Sequence, residues 1–102
     1  MATPAALRER MIGARFLIRG RVQGVGFRWF VSRQARELSI SGSVQNLADG
    51  TVEVVAWAER AETLASLEVL LGRGPDHASV ESVEREAPPG DGDATPGRFV
   101  IQ

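Results

Sequence analysis

Arg15-Phe16-Leu17-Ile18-Arg19-Gly20-Arg21-Val22 runs into Gln23-Gly24-Val25-Gly26-Phe27 and then into Arg28-Trp29-Phe30-Val31-Ser32-Arg33-Gln34-Ala35-Arg36-Glu37-Leu38, and the reading of this stretch decides the fold. In the first segment Phe16, Ile18, Gly20 and Val22 share one phase. Arg15, Arg19 and Arg21 share the other, which is the period of a half-buried strand. In the last segment Phe30, Val31, Ala35 and Leu38 fall on one helical stripe, with Arg33, Arg36 and Glu37 opposite. The glycine-punctuated segment between them is the loop at which the period changes from 2 to 3.6.

The same periodicities extend along the chain. Gly42 to Leu47 and Thr51 to Ala58 read as two strands of a hairpin, because Asp49-Gly50 marks a tight turn between them. Val52, Val54 and Ala56 alternate with Glu53, Val55 and Trp57. Arg60 to Leu71 returns to helical spacing, with Ala61, Leu64, Leu67 and Leu71 inward, and Gly72-Arg73-Gly74-Pro75 ends it. Ala78 to Glu86 is a fourth strand. Val80 and Val83 are out of phase there, which predicts a bulge near Glu81 and Ser82. Ala87 to Gly97, rich in Pro, Gly and Asp, reads as a mobile loop, and Arg98 to Ile101 as a short closing strand. Thr3 and Pro4 could cap a short helix over Ala5 to Met11. Residues 1–13 read as an N-terminal extension and 14–102 as one domain.

Strand, helix, strand, strand, helix, strand is the split βαβ pattern. The fold class is therefore α+β: a ferredoxin-like βαββαβ sandwich with a short fifth strand. Its mostly antiparallel sheet should carry both helices on one face and leave the other open to water.

Composition narrows the function. With 102 residues, 43% hydrophobic and 25% charged, the chain suits a single globular core. It has no cysteine, which excludes disulfides, thiol nucleophiles and thiolate metal sites. All twelve basic residues are arginine, so lysine chemistry is excluded as well. A net charge of −1 argues against a nucleic-acid partner. No apolar run approaches the ~20 residues of a membrane span, and the N-terminus lacks a signal-peptide core. A cytoplasmic protein with no membrane association is expected.

The chemistry lies in the glycine loop. Two glycines in three positions let several backbone N–H groups turn inward as an anion nest. The following helix adds unpaired donors and the positive end of its dipole. Arg28 can close over the anion with a planar fork suited to a phosphoryl group. A loop with two glycines alone would more often be a plain tight connection. His77 reads as a turn residue and Asp49 as part of its turn. Arg15, Arg19 and Arg21 along one strand face read as solvated. An RNA-binding sheet would need exposed aromatics, for which Trp57 is the one candidate. Trp29 and Phe30 read as packing residues.

The full run Gly20-Arg21-Val22-Gln23-Gly24-Val25-Gly26-Phe27-Arg28 resembles the signature of the acylphosphatase family. Gly42-Ser43-Val44-Gln45-Asn46 with Asp49-Gly50-Thr51-Val52-Glu53-Val54 resembles the second motif of that family. Gly74-Pro75 and the closing Phe99-Val100-Ile101 also fit. The resemblance implies hydrolysis of the carboxyl–phosphate bond of a small-molecule acyl phosphate, with inorganic phosphate as product and competitive ligand. It implies that Gln23, Gly24, Val25, Gly26, Phe27 and Arg28 bind the phosphoryl group. Arg28 would be the essential anion ligand, and Asn46 would orient the attacking water. No metal, cofactor or covalent intermediate is implied, and a monomer is the simplest expectation. A noncatalytic anion-binding module would share the nest but would not need Asn46. An open arginine site reads the phosphoryl end and leaves the acyl group unspecified. Ser43 stands where the family usually has a large residue, which bears on packing near Asn46. Ser39 stands where a helix-ending glycine is common, with an expected strain of ~1 kcal/mol.

Overall fold

The elements follow from where side chains find cover. In the computed structural model, which describes residues 10–90 and 98–102, they run β1 (Ile12–Arg21), α1 (Phe27–Glu37), β2 (Ser41–Asn46), β3 (Val52–Ala58), α2 (Ala61–Arg73), β4 (Ser79–Glu86) and β5 (Phe99–Ile101). The helix start read at Thr3 and Pro4, and residues 91–97 of the loop read as mobile, lie outside the described residues. The sheet order is β4-β1-β3-β2-β5. Every pairing is antiparallel except β2 with β5. This is the ferredoxin-like α+β sandwich expected from the periodicity.

One sheet face supplies Ala14, Phe16, Ile18, Val44, Val52, Val54 and Ala56 to the core. Helix α1 adds Phe27, Val31 and Ala35, and α2 adds Leu64, Leu67 and Leu71. Full burial of a side chain such as Phe16 or Ile18 is worth about 1.5–3 kcal/mol, so this layer carries the stability. Ala61, read as inward, is exposed on the first turn of α2, where the helix has not yet reached the sheet.

Strand β1 begins at Ile12, three residues before the alternation becomes legible. The reason is Gly13, which has no side chain to show a phase. A Cβ there would strike the Trp57 ring and Pro88. The bulge expected in β4 is present: Arg19 pairs with Ser82 and Gly20 with Val80, which leaves Glu81 as the extra residue.

The second face differs from the open surface read from the sequence. Arg15 bonds Glu53 at 2.6 Å and Glu86 at 2.9 Å, and Arg19 pairs with Glu84 at 3.0 Å. Half-exposed pairs of this kind contribute at most about 1 kcal/mol each. They do, however, set carboxylates against Arg15 and Arg19 of the arginine row. Beside them Met11, Val55 and Trp57 form a second buried cluster. Trp57 is only 9% exposed, so it offers no ring to a nucleobase.

The turn at Ser39 matches the expected strain. Ile40 N–H donates to Ala35 O and Ser39 N–H to Arg36 O, which closes α1 in a Schellman motif. That motif requires a left-handed residue, and Ser39 has φ 57°.

Candidate active site

The loop from β1 to α1 is built for backbone donors. Gly24 and Gly26 both adopt left-handed φ, 76° and 78°. Alternation of left- and right-handed residues turns successive N–H groups toward one side, as in an anion nest. Gly26 is also the N-cap of α1, and no side chain caps this helix. Serine, threonine or aspartate would normally fill that position and use up an orphan N–H. The first turn of α1 carries no acidic residue either. Its donors and positive dipole end are left for an external anion.

The side chains of the loop divide the work. Phe27 is 2% exposed and packs into the core, with its ring tilted 58° to Phe30 at 6.0 Å. A Cβ on Gly74 would approach the Phe27 ring to 3.0 Å, so that glycine keeps the space Phe27 fills. Val25 also packs against the core. Gln23 turns its amide away from the nest, donating to Leu47 O at 2.8 Å and Thr51 O at 3.1 Å. It thereby ties the glycine loop to the hairpin that carries Asn46. Phe27, Val25 and Gln23 can thus meet an anion only through their backbone.

Arg28 and Asn46 are brought together. A cavity of about 260 Å³ is lined by Val22, Gly24, Gly26, Phe27, Arg28, Trp29, Asn46 and Ile101. Asn46 reaches it because it shares the phase of Val44 on the helix-covered face, at the end of β2. Arg28 Nη1 donates to the backbone oxygen of Gln102 at 2.8 Å, and Gln102 N–H in turn donates to Val44 O at 2.8 Å. The parallel β2–β5 pairing therefore steadies the guanidinium from outside the loop. Sequence reasoning missed this contact, and no local signal could have revealed it.

Two expectations are corrected. Ser43 does not bear on Asn46: the period of two puts it on the other face, paired with Val55 and Val100. Trp29, read as packing, is 62% exposed at the cavity mouth, because it falls off the buried stripe of α1. The Gln23 side chain grips the hairpin. Asp49 belongs to its turn, as read: its Oδ1 accepts from Thr51 N–H at 2.9 Å, which holds the carboxyl below its ordinary range. His77 is exposed in the turn before β4.

A family model described as Acylphosphatase matches residues 14–101. The chain belongs to the acylphosphatase family. It is 48% identical over 82 residues to an acylphosphatase of Koribacter versatilis (strain Ellin345), across 80% of this chain and 74% of that one. It is 51% identical over 70 residues to one of Pseudomonas aeruginosa, across 69% and 76% of the two chains. The structure of an acylphosphatase from Coxiella burnetii superposes with a TM-score of 0.80 at 34% identity, covering 93% of this chain and 96% of that one. The acylphosphatase from Bacillus subtilis gives 0.73 at 32% identity, covering 90% and 98%. The chain is thus an enzyme of the acylphosphatase family, with Arg28, Asn46 and the loop glycines on one cavity.

Proposed function

We propose that this enzyme hydrolyses acyl phosphates by direct attack of water on phosphorus, without a metal or a covalent intermediate. The observation that carries the reading is the shared cavity. An uncapped helix N-terminus, two left-handed glycines and one guanidinium face the same space as a carboxamide. The loop amides and Arg28 hold the phosphoryl oxygens, and their field offsets the charge that spreads in the transition state. The Asn46 amide holds the water against phosphorus.

The leaving group requires little help. By analogy with glutamate its conjugate acid has a pKa of about 4.3, so it departs ionised at neutral pH and no general acid is needed. The water oxygen bonds to phosphorus while the bridging P–O bond breaks, and the carboxylate keeps that electron pair. One water proton passes to a phosphoryl oxygen, giving carboxylate and dihydrogen phosphate. The reaction is complete within one copy of the chain, which supports a monomer as the working unit.

Benzoyl phosphate hydrolysis in excess chelator tests the proposal. Turnover should persist. Arg28→Ala should lose at least ~100-fold, as for other transition-state donors. Arg28→Lys should also be severely impaired, because a point charge cannot replace the fork. Asn46→Ala should bind inorganic phosphate normally and turn over poorly. Phosphate binding with no turnover in the parent protein would sink the hydrolytic reading.

A further inference from the structure

A largely exposed indole stands outside the core and beside the cavity of Arg28 and Asn46. Trp29 follows Arg28 directly and is 62% exposed. It belongs to no core cluster, whereas its neighbour Phe30 packs against one. It lines the phosphoryl cavity together with Ile101, which is 43% exposed. The same two residues also line an adjoining groove of about 310 Å³ with Ser32, Arg33, Arg36 and Glu37. Trp29 and Ile101 are therefore common to the walls of both spaces.

Resting on the hydrolytic reading above, we propose that Trp29 and Ile101 form a platform for the acyl end of the substrate. The enzyme then prefers aromatic or bulky apolar acyl phosphates over acetyl or carbamoyl phosphate. With the phosphoryl group in the nest, the acyl carbon points outward. The other apolar wall residues, Val22 and Phe27, are buried at 1% and 2% and lie in the core cluster beneath. Among the described residues that line the cavity, only Trp29 and Ile101 present exposed apolar side chains.

The platform is held in place before substrate arrives. The Arg33 guanidinium carbon lies 5.5 Å from the centroid of the Trp29 ring, a cation–π distance. Arg33 Nε in turn donates to Glu37 Oε1 at 3.5 Å. A ring already positioned loses little freedom on binding, so more of its contact appears as affinity. The chemistry of the groove also argues against an acidic acyl group. Arg33 is engaged by Trp29 and Glu37, Arg36 donates to Phe99 O at 3.4 Å, and Glu37 would repel a second carboxylate.

The test uses non-hydrolysable probes, so that it stands apart from turnover. Benzylphosphonate and methylphosphonate are titrated calorimetrically into the parent protein, Trp29→Ala, Trp29→Phe and Ile101→Ser. The parent should favour benzylphosphonate by about tenfold, which is 1.4 kcal/mol and within reach of one aromatic contact. Trp29→Ala should bring the ratio close to one. Trp29→Phe should keep most of it, and Ile101→Ser should lower it by about half, as the smaller partner in the contact. Circular dichroism should show the folded state in each variant, since both positions are solvent-facing. No preference in the parent, or a preference surviving Trp29→Ala, would overturn the platform. The ratio of kcat/KM for benzoyl over acetyl phosphate should fall by the same factor in Trp29→Ala. If neither substrate turns over while the phosphonate preference follows Trp29, the platform stands and the hydrolytic reading falls.

Discussion

Gly42 in the sheet and Gly26 in the loop both have positive φ, 136° and 78°, yet they are glycine for opposite reasons. A Cβ on Gly42 would overlap the Val55 carbonyl of the neighbouring strand. One on Gly20 would overlap the Ser79 carbonyl, beside the bulge. A Cβ on Gly26 or Gly24 would meet nothing within 4 Å. The sheet glycines exclude a side chain because another backbone already occupies the space. The loop glycines are required by conformation, and the space beside them is empty. What sets Gly24 and Gly26 apart from other open glycines such as Gly50 is that they line the cavity of Arg28 and Asn46.

The largest effect should come from Gly42→Ala. It combines a backbone collision with an unfavourable φ and should cost about 4 kcal/mol or more, the range reserved for severe core damage. Urea denaturation would show the variant largely unfolded; parent-like stability would erase the distinction between the two glycine classes. Gly26→Ala should cost only about 1 kcal/mol of stability, the penalty of a left-handed L-residue. It should also weaken phosphate binding by about tenfold, since a sub-ångström shift of several donors acts on all their bonds. Denaturation with and without phosphate separates the two terms, because the ligand adds stability in proportion to its occupancy.

Ser39→Gly isolates conformation from sterics. Ser39 is exposed and left-handed, so relief of strain should raise stability by about 1 kcal/mol, with phosphate affinity unchanged. No gain would mean that the left-handed term assigned to Gly26 is also overestimated. The smallest effect belongs to the hairpin turn, where Gly50 is as open as Gly26 but does not line the cavity of Arg28 and Asn46. There the turn is held by Asp49. Its folded-state pKa is depressed by the Thr51 N–H, so its contribution is full above the unfolded value, about 3.9. It is lost as pH falls through the lower folded value. Asp49→Asn keeps the acceptor and removes the titration. An acid-unfolding series should therefore show a slightly shallower slope below about pH 4 than the parent.

The local half of the site was legible in advance. The nest, the Arg28 fork and the Asn46 carboxamide were read from residue type and the family resemblance, and the structure places them on one cavity. The loop's other side chains were not. Gln23 finds its acceptors at Leu47 and Thr51, and Arg28 finds Gln102, all far along the chain. Trp29 reads as packing because an aromatic beside an apolar stripe looks like core until the helix is docked.

The order of elements, the bulge at Glu81, the strained turn at Ser39 and the curl of the glycine loop follow from the residues alone. Each rests on a period or a φ preference that a few consecutive residues express through their own covalent geometry. Strand register and helix docking decided which face of the sheet Asn46 takes and which is left to Ser43, what Gln23 grips, that Trp57 is buried and that Trp29 is not. Those outcomes depend on strand register and helix docking, which set distances between residues that have no covalent reason to be near one another.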